Sequence, residues 1–437
     1  MRDDSHPPVY FILLYAWRRL WGAGDVATRL PSILISALSI VPVVLLCRLH
    51  GAGRIGLVIG GILAISHAHI LAGQQARPYA LSIALISTAY WLFEVMGRRW
   101  STLTRRGRWI AACSYGACLL AAMMTHYFAA LALFGHVLIA VIRWRGSLLR
   151  AWLAAVAASA ALFAVVWGPS LAAQLDFIGA QDWLMDTAPD HVRRTLLRAA
   201  SLPLRLTIAR PLPDWTSWNI EIEALAGLAI LVQPAVLLWR RRVGAPLPFA
   251  VWALLPILIL TAVDLTTGKE LLTHARYSCI AAPGVVALIV LGVGQCPRRT
   301  TWLAVAAGVT IVGLTLRPPA IHTPHARRAA AIVDLYAGPD DLVVFDAIGW
   351  TPPYWARREF IQVRYYMRQR SAACLLLEDA MSDDTKADAC GYRRIILVSP
   401  RMEGEFNPCP TTHQHRFHSP WIFDIGWVDV FEIRNPP

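Results

Sequence analysis

Charge is what this sequence has least of. Only 16% of its 437 residues are Asp, Glu, Lys or Arg, against about 25% in an ordinary soluble domain. Hydrophobic residues make up 56% and mean hydropathy is +0.47, which excludes a soluble enzyme of usual composition. Disorder is excluded too, because a disordered chain needs few aromatics and these reach 10%. Eight cysteines scattered over the chain do not make a disulfide-dense secreted scaffold. No Cys-x-x-Cys, His-Glu-x-x-His or Asp-x-Asp pattern marks a metal site, and no Walker A glycine loop marks an ATP-driven transporter. Acidic residues are especially scarce, 28 against 41 basic, for a net charge of +13. A nucleic-acid partner does not follow, because the arginines bracket apolar segments as membrane topology signals do.

What the chain does have is apolar segments of spanning length. A span takes about 20 mostly apolar residues, and ten segments fit this reading: Val26–Arg48, Arg54–Ala72, Arg77–Gly97, Arg108–Met124, His126–Arg143, Arg150–Pro169, Glu223–Arg240, Pro246–Asp264, Tyr277–Cys296 and Thr300–Leu316. Glu94 and Arg29 are the deepest charges. Arginine-rich connections alternate with arginine-poor ones, and the positive-inside rule puts the former in the cytoplasm. These are Arg48/Arg54, Arg98–Arg108, Arg143–Arg150, Arg240–Arg242 and Arg298/Arg299. Gly73–Ala76, Thr125, Ser170–Ile222 and Leu265–Arg276 then face outward, the long third one translocating regardless of its charge.

The expected fold class is therefore a polytopic α-helical membrane protein with a small extracytoplasmic α/β domain at its C-terminus. Residues 1–25 form an outer interfacial region, 26–316 the membrane domain and 317–437 the soluble domain. Pro7–Trp21 is short, aromatic and ends in Arg18 and Arg19, as an interfacial helix does; Asp182–Ser201 is a candidate for a second. An outside N-terminus suggests a further helix ahead of residue 1, crossing from inside to outside. In the tail, Ala329–Ala337 and Arg357–Met367 read as helices, and Leu342–Asp346, Ile395–Val398 and Val428–Ile433 as strands. Of Cys374, Cys390 and Cys409, an oxidising compartment allows one pair to bridge, and spacing does not say which.

The concentrated polar clusters sit at outer span ends: Asp3-Asp4-Ser5-His6 before the interfacial helix, Gln74-Gln75-Ala76-Arg77-Pro78-Tyr79, Thr125-His126-Tyr127, and Lys269-Glu270 with His274-Ala275-Arg276-Tyr277. Arg and His at a headgroup plane suit a lipid phosphate, since guanidinium forks match phosphate geometry and stay charged. Each cluster has a plainer reading. Asp3, Asp4 and Ser5 can cap the helix that Pro7 opens; Arg77 and Arg276 can be interfacial anchors; Tyr79, Tyr127 and Tyr277 can belong to an aromatic belt. His67, His69 and His136 lie on spans and read as packed or pore-lining.

The order of these clusters resembles one family. DDSHPPVYFILLYAWRRLWGAGDVATRLPSIL is similar to the opening of GT-C integral-membrane glycosyltransferases, in the branch of protein mannosyltransferases, aminoarabinose transferases and Rgt-like sugar transferases. QQARPYAL resembles that branch's Gln-Glu-Ala-Arg-Pro-Tyr turn, and THYFA and the later ARY fit its further landmarks, over about residues 2–294. The resemblance implies a polyprenyl-phosphate-linked sugar donor, a glycan, lipid or protein acceptor, membrane lipids as surroundings and action at the outer face of a bacterial cytoplasmic membrane. It implies His6, Arg77, Arg276 and Tyr277 around the donor phosphate, with Gln75, Tyr79, His126 and Tyr127 lining the site. Asp4 or Asp3 would be the general base on the acceptor, and a divalent metal is a candidate cofactor, with Asp4 and His6 as the ligand types nearby.

Two departures stand out. The family's Asp-Glu motif, some two dozen residues before His-Pro-Pro, is not in this sequence, and its acidic turn residue is Gln75 here, an amide that cannot accept a proton as a base. Two rival readings follow: a catalytically inactive lipid-linked-glycan-binding protein, which Gln75 favours, and a polyprenyl-lipid flippase, which calls for polar residues along a path within the spans.

Overall fold

The computed structural model describes residues 7–22, 24–179, 190–207, 219–240, 247–273, 275–293, 333–334, 341–346, 373–377, 394–399, 411–418 and 427–433. The chain divides into two compact units, Met1–Pro319 and Ala320–Pro437.

The first unit is helical. Its elements are α1 Val9–Trp21, α2 Asp25–Leu38, α3 Ile40–Leu49, α4 Gly53–Ile65, α5 His67–Gln74, α6 Tyr79–Arg99, α7 Arg105–Met123, α8 Ala129–Arg143, α9 Gly146–Gly179, α10 His191–Thr207, α11 Asn219–Arg240, α12 Leu247–Thr267, α13 Ala275–Ser278 and α14 Ala282–Val293. Among the described residues four stretches are long and apolar enough to cross a membrane: Val26–Leu49 (α2 with α3), Tyr79–Arg99, Gly146–Ala172 and Leu247–Thr267. The bent pair α4 and α5 makes a fifth if it is one span. The helices at 129–143 and 276–292 are apolar but shorter. Nine of the ten expected segments thus coincide with helices, while Thr300–Leu316 lies outside the described residues.

Local chemistry explains the breaks. Thr104 caps α7, its hydroxyl accepting the Gly107 N–H at 3.1 Å. Ser66 separates α4 from α5 in an extended conformation, its hydroxyl bonded to the Leu63 carbonyl, and the axes turn by 54°. Between α2 and α3 the Ser39 hydroxyl bonds the Ser36 carbonyl at 2.6 Å, and the chain runs on as one span.

Two apolar clusters fill the interior. One gathers Val43, Leu46, Ile59, Ile83, Trp252 and Val285 from α3, α4, α6, α12 and α14. The other gathers Phe93, Tyr115, Trp144 and Trp152 from α6 to α9. At Gly284 a Cβ would stand 2.6 Å from the Ala253 nitrogen, so glycine is what lets α14 lie directly on the α12 backbone. His69 and His136 are packed rather than pore-lining: His69 bonds Ser39 at 3.1 Å, and Nδ1 of the fully buried His136 bonds the Tyr115 hydroxyl at 2.9 Å. Of the expected helix Asp182–Ser201, the described part lies almost wholly in α10, which runs on to Thr207; beyond the expected end Leu202 and Leu206 reach the main core.

The connections segregate to two ends. At one, the Glu94 carboxylate, 4% exposed, lies 3.2 Å from His50, 3.5 Å from Arg98 and 3.7 Å from Arg143, and His50 faces Phe249 at 5.8 Å. This end joins the start of α12 to three of the arginine-bearing connections. The other end holds the turns at 74–79, 124–128 and 268–277.

In the second unit the strands β1 Asp341–Asp346, β2 Ala373–Leu377, β3 Arg394–Ser399, β4 Thr411–His418 and β5 Trp427–Ile433 form one sheet in the order β2-β1-β3-β5-β4. β1 pairs in parallel with β2 and β3, and β5 pairs antiparallel with β3 and β4. The three expected strands are present; β2 and β4 are additional. The expected helices, apart from Val333 and Asp334, and Cys390 and Cys409 lie outside the described residues, while Cys374 is on β2.

Candidate active site at the turn-bearing end

The helix α1 reaches this end through its own start. The Val9 N–H donates to the Met124 carbonyl at 3.1 Å, and the Trp17 indole N–H to the Ala27 carbonyl at 2.9 Å. Tyr10 is fully buried, its hydroxyl 2.7 Å from that of Ser32 on α2. Burial raises this phenol above its ordinary 10.0, with the Ser32 hydrogen bond and the Arg77 charge pulling the other way. It therefore stays protonated at neutral pH and keeps α1 docked. Ile12, Tyr15, Leu20 and Trp21 are exposed along the helix, as suits an apolar interface.

Arg77 follows α5 in the turn that Pro78 ends, and Tyr79 opens α6. The charges of Arg276 and Arg77 both act on the Tyr79 hydroxyl, so two arginines about 200 residues apart in sequence come to the same end of the helical unit. The Arg276 guanidinium sits 4.9 Å from the centre of the Tyr277 ring and donates to its hydroxyl at 3.2 Å. The His126 ring faces Tyr79 at 5.5 Å and Phe128 at 5.2 Å, and Phe128 meets Tyr277 edge-on at 5.1 Å. Nδ1 of His126 accepts the Phe128 N–H at 3.2 Å, which fixes the turn between α7 and α8.

Not every expected residue joins this group. The Tyr127 hydroxyl accepts the Trp167 indole N–H at 2.7 Å, which directs it toward α9. Gln75 closes α5 in an extended conformation. Asp3, Asp4 and His6 lie outside the described residues. Among the described residues no three His, Cys, Asp or Glu side chains gather as a metal-holding group. The structure adds residues that the sequence did not single out for this end: Tyr10 and Ser32, Phe128, and Asp264, which stands with the expected Glu270 beside the Arg276 turn. Tyr10 was within reach as the tyrosine of the His-Pro-Pro-Val-Tyr stretch.

No family model and no curated protein matches this sequence. Among solved structures it is similar to ArnT from Cupriavidus metallidurans in the apo state, with a TM-score of 0.47 and 12% identity over 98% of this chain and 87% of that one. It is also similar to the Archaeoglobus fulgidus oligosaccharyltransferase tethered with an acceptor peptide, at 0.46 and 10% identity over 90% of this chain and 61% of that one. The same enzyme in complex with Zn and sulfate gives 0.45 and 11%, over 90% and 59%. The chain thus spans about three fifths of the oligosaccharyltransferase.

The chemistry of the Tyr79 cluster is cationic and aromatic. Two guanidinium groups, two phenols and an imidazole border one patch, at the end opposite to the Glu94 cluster. Such a set can hold an anion with several oxygens, and its rings can pack against a sugar or an isoprenoid chain.

Proposed function

We propose that this protein is a membrane glycosyltransferase that moves one sugar from a polyprenyl-phosphate-linked donor to a glycan, lipid or protein acceptor at the outer face of a bacterial cytoplasmic membrane. The observation that carries this reading is the convergence of the Arg77 and Arg276 charges on Tyr79, beside the Tyr79, His126, Phe128 and Tyr277 rings, at the end away from the connections at 48–54, 98–108 and 143–150. By the positive-inside rule that end faces outward. A lipid-linked donor presents its phosphate there, and the motif resemblance of the sequence points to the same substrate class.

In this reading Arg77 and Arg276 grip the donor phosphate, with Tyr277 as a further donor. His6 is the further candidate that the motif resemblance adds to them. As the bond between anomeric carbon and phosphate oxygen breaks, negative charge grows on the departing phosphate, and fixed guanidinium groups favour that state over the ground state. Asp4 or Asp3 takes the proton of the acceptor hydroxyl or amine as its lone pair attacks the anomeric carbon. Tyr79, His126 and Gln75 border the sugar.

The test is turnover of a radiolabelled polyprenyl-phosphate sugar in membranes carrying the full chain. Transfer to lipid, glycan or protein, lost with Arg276→Ala, supports the reading; normal turnover by that variant removes the phosphate assignment. Gln75 favours a second reading, a binding protein for lipid-linked glycans, and donor binding without any transfer would establish it.

A further inference from the structure

The turn that delivers Arg276 is held by carboxylates that the proposed reaction does not use. α12 ends at Thr267, and Gly268, at φ +71°, adopts the left-handed conformation that reverses the chain. The reversal brings the backbone back over the helix end. The N–H groups of Leu271 and Leu272 both donate to the Asp264 carboxylate, one to each oxygen, at 2.9 Å. Asp264 is 1% exposed, and Arg198 and Glu270 lie within its electrostatic range.

The residue just before Leu271 and Leu272 is tied from the other side. Glu270 receives Arg198 at 3.0 Å and Arg194 at 3.3 Å, both from α10. Arg205, also on α10, donates to the Thr273 carbonyl at 3.2 Å. The turn is thus pinned to α12 by Asp264 and to α10 by three arginines, immediately before α13, which carries Arg276 and Tyr277.

We infer that Asp264 is a positioning residue for donor binding: its carboxylate, gripping two consecutive backbone N–H groups, sets where Arg276 stands. A buried carboxylate is costly unless its oxygens are satisfied, and here both are satisfied by the turn itself. The turn has one low-energy seat on the bundle. Asparagine would leave one carbonyl acceptor and turn an NH2 group against the second backbone N–H. This inference rests on reading Arg276 as a ligand of the donor phosphate.

The experiment makes Asp264→Asn and Asp264→Glu in the full chain and reads three quantities. Amide hydrogen exchange should lose protection at Leu271 and Leu272 in Asp264→Asn, with the α6 and α12 amides and the detergent melting midpoint close to wild type. Binding of polyprenyl phosphate should weaken about tenfold, as one lost hydrogen bond to a charged group does, with Asp264→Glu recovering much of it. In the background of Arg276→Lys the same Asp264→Asn change should weaken binding far less, because it acts through Arg276.

Unchanged protection at Leu271 and Leu272 overturns the inference. So does lost protection with unchanged binding, or an equal loss with and without Arg276. Should Asp264→Asn fail to fold, Glu270→Gln, which slackens the α10 side of the same turn, carries the same three readouts. If the wild type does not bind polyprenyl phosphate, the donor reading fails, and the exchange result still reports separately whether Asp264 pins the turn.

Discussion

The two ends of the helical unit use arginine in opposite ways. At one, Arg98 and Arg143 close with His50 around the buried Glu94, so positive charge is spent on joining the α3–α4 connection, α6 and α8. At the other, Arg77 and Arg276 lie around Tyr79, with Arg276 stacked on Tyr277. The nearby carboxylates Asp264 and Glu270 are engaged by the turn and by α10. Residue type alone therefore says little about role. The same guanidinium is a staple where a carboxylate is enclosed with it, and in the proposed reading an anion receptor where phenols and an imidazole border it.

The largest effect should separate the ends by activity. Arg276→Ala is expected to cut sugar transfer at least about a hundredfold, the scale of losing one charge-stabilising donor. Arg143→Ala should leave turnover per folded molecule within about twofold, since it sits at the staple. Equal losses in a radiolabelled-donor assay would erase the distinction.

Next in size is a stability effect in the reverse sense. Glu94→Ala leaves His50 and two arginines without their shared carboxylate. Breaking a buried ion pair costs about 3–5 kcal/mol, and the value here should fall below that because Arg98 and Arg143 reach solvent. The midpoint of thermal unfolding in detergent should drop, while donor affinity of the folded fraction is kept. A loss of affinity with stability intact would move the functional centre to this end.

The smallest concerns α1. Tyr10→Phe removes the bond to Ser32 and should cost about 1 kcal/mol, seen as faster amide exchange across Val9–Trp21 with α6 unchanged. If exchange is unaltered, the hydroxyl does not dock the helix.

Much of this was legible in the sequence, for reasons that also explain the rest. Spans were readable because about 20 apolar residues in a row have few other uses. Arg77, Tyr79, His126 and Arg276 stood out because polar clusters are conspicuous at the ends of such runs. The 54° turn at Ser66 was not legible, since a serine between apolar residues looks like ordinary helix and the bend depends on its bond to Leu63. Asp264 read only as the end of a span, because its partners are backbone N–H groups brought back by Gly268. Glu94 was visible as a deep charge, but its partners His50, Arg98 and Arg143 come from three separate stretches. In the second unit β4, the edge strand TTHQHRFH, has too little apolar alternation to announce itself.

The most direct test of the central claim is photo-crosslinking of the full chain in membranes with a polyprenyl phosphate carrying a photoreactive group near its head. The account predicts labelled peptides containing Arg77 and Tyr79, His126 and Tyr127, and Arg276 and Tyr277, all competed by unlabelled lipid. Labelling concentrated instead on the peptides of His50, Glu94 and Arg143, or spread evenly along the helices, would contradict it.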